Sequence, residues 1–190
     1  VKRSLAASVA LLGVFIVAAL VRGNHEFLFY ASTLMVVLGV LFLLDRHYDF
    51  SALSLWGFDA WLLLHLLGGM GTVGGTRLYD YMLLPVVGEP YEILKYDQLV
   101  HVFCYAVMAM LVWEVIARLT GAGHTLATIL LTVLAASGIG GLNEIVEFAA
   151  VVLVGSTGVG GYSNTALDLV ANLLGAGIGA GYKAIAAGKA

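Results

Sequence analysis

Three stretches of this sequence set ionisable and amide side chains at helical spacing inside otherwise apolar runs. Asp97 and His101 are four residues apart, Glu144 and Glu147 are three apart with Asn143 beside them, and Asn164, Asp168 and Asn172 form a ladder of four-residue steps. Such spacings put side chains on one face of an α-helix, so each stretch reads as a polar stripe. Two acids on one turn repel each other unless something binds them. Carboxylates with imidazole are a donor set for a divalent cation, Zn, Mn or Fe, or Mg and Ca if the histidine stays out. Such an ion polarises a phosphoryl or carbonyl oxygen, or lowers the pKa of a bound water. On this reading His101, Glu144, Glu147 and Asp168 are metal ligands or acid/base groups. Asp97 orients the His101 ring, and Asn143, Asn164 and Asn172 hold substrate or water. His65, nearer mid-depth, faces the same cavity from below.

The elements that must position these residues follow from composition. The chain is 61% hydrophobic and 11% charged, with a mean hydropathy of +0.99, whereas an ordinary soluble domain has about 25% charged residues. Too little charge is present to cover a water-facing surface, so lipid must be the solvent. A net charge of −3 with no basic stripe excludes nucleic acid as a partner. Cys104 is the only cysteine and cannot form an intrachain disulfide.

A spanning helix needs about 20 mostly apolar residues. Such stretches fall near 4–21, 27–44, 58–75, 98–118, 125–153 and 162–186, which predicts an all-α bundle of six spans forming a single transmembrane domain over residues 1–190. The first lacks a small-x-small cleavage site before Arg22 and is read as a true span rather than a signal peptide. Residues 76–97, with Pro85, Pro90 and several tyrosines, are expected along the headgroup layer as a lid. With six spans, Lys2, Arg3, Arg46, Arg118, Lys183 and Lys189 share one side, and only Arg22, Arg77 and Lys95 the other. The excess of basic residues places both termini in the cytoplasm of a cell inner membrane. Glycines of spans three, five and six predict that these pack the interior while the first two stay peripheral.

This topology adds a constraint. Spans four and six descend from the outer side and begin with Asp97 and Asn164, while span five rises to Glu144 after about 20 residues, so the three stripes meet in the outer half of the bilayer. A charged carboxylate there costs about 2.5–3.5 kcal/mol or more. A bound cation, shared protons or a water-filled pocket each relieves that cost. Simpler readings exist for single members: Asp97–His101 as a boundary ion pair, the asparagine ladder as interhelical glue, and Glu114 as a partner of Arg118 one turn on. Asp45, Asp49 and Asp59 read as boundary residues.

YDQLVH at Tyr96–His101, NEIVEF at Asn143–Phe148 and NTALDLVANLLGA at Asn164–Ala176 together resemble the VanZ-like and YjdF-like bacterial membrane proteins. The resemblance covers roughly residues 60–180. VanZ-like proteins tend to carry Gln where this chain has Glu147, and Asn164 stands where the YjdF-like pattern tends to have a second Asp, which weakens a two-metal site. It implies an envelope protein without specifying a reaction. The expected function is an outward-facing intramembrane pocket that binds a divalent metal and acts on a lipid or lipid-linked substrate. A proton- or ion-coupled transporter and a purely structural subunit are the competing classes, and the sequence sets no oligomeric state.

Overall fold

The computed structural model describes residues 2–89, 91–121, 125–155 and 157–188; Pro90 and Lys189 lie outside them. Six helices are long and apolar enough to cross a membrane: α1 (Arg3–Arg22), α2 (His25–Tyr48), α3 (Ala52–Met70), α4 (Tyr96–Thr120), α5 (Leu126–Val154) and α6 (Tyr162–Ala187). Asn24, Ser51 and Thr125 cap α2, α3 and α5, each accepting from the backbone N–H three residues on, which satisfies an orphan donor of the first turn.

The third span is shifted from its expected position. It starts at Ala52, behind the Ser51 cap, and ends at Met70 rather than near residue 75. Gly74 and Gly75, assigned to that span by hydropathy, have φ of 58° and 86°. They form the two-residue turn of a hairpin between β1 (Thr72–Val73) and β2 (Thr76–Arg77), a turn that needs positive φ at both central positions. A 3₁₀ turn, Leu78–Asp80, leads to a second hairpin of β3 (Met82–Val87) and β4 (Ile93–Lys95). The segment 76–97 thus holds the second strand of one hairpin, the 3₁₀ turn, a complete second hairpin and the start of α4. They lie at the end of the bundle opposite the termini.

The interior also differs from the glycine reading. Span four, poor in glycine, is the most buried of the six, and α5 is as lipid-exposed as α2. The most extensive contact in the molecule is α4 against α6. A Cβ on Gly175 or Gly179 of α6 would strike the backbone carbonyls of Val102 and Ala106 on α4, whereas Gly177 and Gly181 face open space. Two glycines one turn apart therefore let these backbones close on each other, as small residues do where lipid gives no hydrophobic drive. The buried face of α6 is Asp168, Ala171, Asn172, Gly175, Ala176, Gly179 and Ala180, an i, i+3, i+4 pattern. Its exposed face carries Leu169, Leu173, Leu174 and Ile178, the reverse of a helix in water.

At the end holding the termini, Lys2 Nζ lies 2.8 Å from both Asp45 and Asp49 and donates to the Phe50 carbonyl at 2.6 Å. Asp59 is buried within α3, not at a boundary, and accepts from Ser8 of α1. Glu114 does not pair with Arg118. It accepts from the Ser51 N–H at 2.8 Å, from the Ser51 and Ser54 hydroxyls at 2.7 Å each, and from Lys183. Arg118 reaches the Asp49 carbonyl instead.

Candidate functional site

At the hairpin end, the inner faces of α4, α5 and α6 bring the three polar stripes together. On α5 the buried positions Thr128, Thr132, Ala136, Gly140 and Glu144 recur every four residues. Gly140 is required here, because a Cβ would stand 2.8 Å from the Asn172 amide nitrogen. That close approach sets Glu144 beside α6.

His101 is the centre of the cluster. Its Nδ1 donates to Asn172 Oδ1 at 2.8 Å and lies 3.9 Å from Glu144 Oε1. Its Nε2 lies 3.6 Å from Asp97 Oδ1. The amide oxygen of Asn172 only accepts, so Nδ1 carries a proton, and in the neutral ring Nε2 is left with the lone pair. Asn172 rather than Asp97 therefore fixes the ring. Two groups of potential ligand atoms result, each within 4.8 Å of one another: Asp97, His101 and Asp168, and His101, Glu144 and Glu147.

Burial makes this cluster chemically demanding. Glu144 and Asp168 are 9% and 0% exposed, yet neither oxygen of Glu144 and only one of Asp168 has a protein hydrogen-bond partner among the described residues. The bonded oxygen of Asp168 accepts from Asn164 at 2.6 Å, and Asn143 donates to Glu147 at 2.8 Å. A buried acceptor left unpaired costs about 1–3 kcal/mol, more if charged.

A cavity of about 260 Å³ opens beside the cluster. Asp97, His101, Asn143, Glu147, Asn164 and His65 line it, while Glu144, Asp168 and Asn172 stand behind its wall. His65 lies five residues from the end of α3, in the hairpin half rather than at mid-depth. Its Nδ1 meets the Tyr79 hydroxyl. Burial pushes the Tyr79 phenol well above its ordinary pKa, so it remains a donor. From the segment expected to act as a lid, Arg77 and Tyr79 line the cavity, whereas Tyr81 and Tyr91 are 40% and 56% exposed.

Sequence reasoning missed the contribution of α2. Glu26, Tyr30 and Leu34 line the cavity, and the Tyr30 hydroxyl is buried without a partner among the described residues. No polar periodicity marks them. Arg77 was visible only as a loop cation; it is held by Asp80 at 2.9 and 3.2 Å and donates to the Gly158 carbonyl at 2.7 Å.

A multi-pass membrane bundle with one buried acidic and histidine cluster is the class that fold and geometry define. The chain belongs to the family described as "Predicted membrane protein (DUF2238)", whose model matches residues 3–189. No curated protein and no solved structure matches it.

Proposed function

We propose that this is a cell-envelope membrane protein, with both termini in the cytoplasm of an inner membrane, whose outward-facing site binds a divalent cation and acts on a lipid or lipid-linked substrate. The observation that carries the reading is the pair of buried carboxyl groups, Glu144 and Asp168, on either side of an oriented imidazole: three of their four oxygens have no protein partner among the described residues. Asp97, His101 through Nε2, and Asp168 form the N/O donor set, which suits Zn, Mn or Fe. Such an ion supplies Lewis-acid polarisation of an ester or phosphoryl oxygen when bound. Glu147, in the cavity and held by Asn143, is placed to exchange a proton with a substrate. Glu144, between Glu147 and His101, is the second acid/base group. The kinship with VanZ-like and YjdF-like proteins belongs to the same proposal.

Support for a one-sided pocket over a transport pathway comes from the cavity floor. Its lining ends at Val37, Met108 and Ile139. On α4 that is six residues, about 9 Å, short of Glu114, whose oxygens are engaged by serines and Lys183.

The test is elemental analysis of purified protein, beside Asp168→Asn and His101→Gln variants that retain the parent's elution profile and unfolding temperature. A divalent metal near one per chain in the parent, lost in both variants, is the expected result. A parent that takes up no divalent ion removes the cation from the proposal.

A further inference from the structure

The cavity is longer than its polar cluster and changes character along its length. At the hairpin end its walls are Asp97, His101, Glu147 and Asn164, with Val146 next to Glu147; deeper, they are mainly apolar, Leu34 and Val37 of α2, Met108 of α4, and Ile139 and Leu142 of α5, with Thr33 and Tyr105 among them. From Asp97 to Met108 is eleven residues of α4, and from Glu26 to Val37 eleven of α2, each about 16 Å of helix. That is about half the 30 Å hydrocarbon thickness of a bilayer, the depth of one leaflet. A binding site for a small polar solute has no use for such an apolar extension.

Two further features settle the direction of entry. The segment after α5 crosses the polar end of the cavity, and Gly158 within it is clasped from both sides. Its N–H donates to Glu26 at 3.1 Å and its carbonyl accepts from Arg77 at 2.7 Å. A side chain at position 158 would occupy the space of the Arg77 guanidinium. On the flank, by contrast, α2 and α5 touch only sparsely. The cavity-lining residues of α5 there, Leu142 and Ile139, are 62% and 38% exposed rather than sealed by a neighbouring helix.

We infer that the cavity takes its ligand sideways from the bilayer, the hydrocarbon chain of an outer-leaflet lipid lying between α2 and α5 with its polar end beside His101 and Glu147. This deepens the lipid clause of the proposed function and is independent of its cation clause. An amphiphile fits because one end of the cavity desolvates methylenes and the other presents donors and acceptors at headgroup depth. Gly158, Glu26 and Arg77 keep the polar end covered from water while the chain slides in along the seam.

The experiment reconstitutes the full chain in phosphatidylethanolamine and phosphatidylglycerol vesicles with a trace of phospholipid bearing a diazirine midway along one acyl chain. After illumination, labelled residues are mapped by mass spectrometry. Labelling of Leu34, Val37, Met108 and Val146 is expected, and Val37→Trp combined with Val146→Trp, which fills the crevice, abolishes it while metal content is unchanged. Asp168→Asn, which removes a proposed cation ligand, keeps the labelling, so the two proposals fail separately. Adducts confined to outward residues such as Val36, Phe148 and Leu174, or crevice adducts indifferent to the two tryptophans, overturn the inference. Should the double variant not fold, Leu34→Trp alone serves, with the same two outcomes.

Discussion

Two regions of the molecule bury carboxylates, and they are solved in opposite ways. At the end holding the termini, Glu114 meets two serine hydroxyls, a backbone N–H and Lys183. At the hairpin end, Glu144, Glu147 and Asp168 share one imidazole and three asparagines, and three of their oxygens have no protein partner among the described residues. A satisfied knot ties α3, α4 and α6 together and has nothing left to bind. An unsatisfied one is costly to the fold and is kept, on our proposal, for what it holds. The same residue types are therefore satisfied at one end and left short of partners at the other, which is why the proposal places the chemistry at the hairpin end.

The sharpest way to break this comparison is Lys183→Met. It leaves Glu114 buried at 14% side-chain exposure without its cation and is expected to destabilise the protein by about 3–5 kcal/mol in detergent unfolding. Adding Glu114→Gln recovers most of that loss; a single variant as stable as the parent would remove the knot from the account. Next in size is the response to metal. At a hundredfold excess over its dissociation constant, the bound cation stabilises the parent by about 2.7 kcal/mol. A chelator lowers the parent's unfolding temperature but not that of Asp168→Asn, and equal responses would place the ion elsewhere. Third, Asn172→Ala frees the His101 ring and weakens cation affinity about 10–100-fold, read by metal titration at unchanged stoichiometry.

The smallest effect lies at the Lys2 clasp. The hydrogen bond and charge of Lys2 hold the Asp49 carboxyl below its ordinary pKa. Its contribution is complete above the usual carboxylate pKa and fades as pH falls through the lowered value. Lys2→Met flattens that part of the acid unfolding curve. An unaltered slope would leave the pairing without energetic weight.

Much of this was legible in the sequence, and the failures share a physical origin. The six spans and the depth of the three stripes follow from apolar length and alternating direction, which hydropathy reads directly. The end of α3 was misplaced because Gly74 and Gly75 are hydropathically neutral; the Gly-Gly pair between Thr-Val and Thr-Arg was the better signal, a hairpin turn. Glycine count found α3 and α6 but missed α4 and overrated α5, because only the glycines facing a neighbour matter, and Gly175 acts on α4 while Gly177 acts on nothing. Glu114's partner Lys183 is 69 residues away, beyond the reach of any helical spacing rule. The cavity was invisible for the same reason. Its α2 wall has no pattern of its own and becomes a wall only when α4 and α5 stand opposite.

The inverted face of α6 has a consequence for how the protein is made. Its most apolar window has a mean hydropathy of only 1.3, against 2.6 for α1, and Asp168 and Asn172 would confront lipid if it entered alone. An acid at a helix centre opposes insertion by about 2.5–3.5 kcal/mol, and Asp168, seven residues into α6, by a part of that. On this account α6, which leaves the ribosome after α4, depends on α4 already standing in the bilayer, ready to receive its polar edge. A glycosylation-tagged α6 inserted by itself is expected to cross less often than the same segment following α1 to α5, and equal efficiencies would show that it needs no such host.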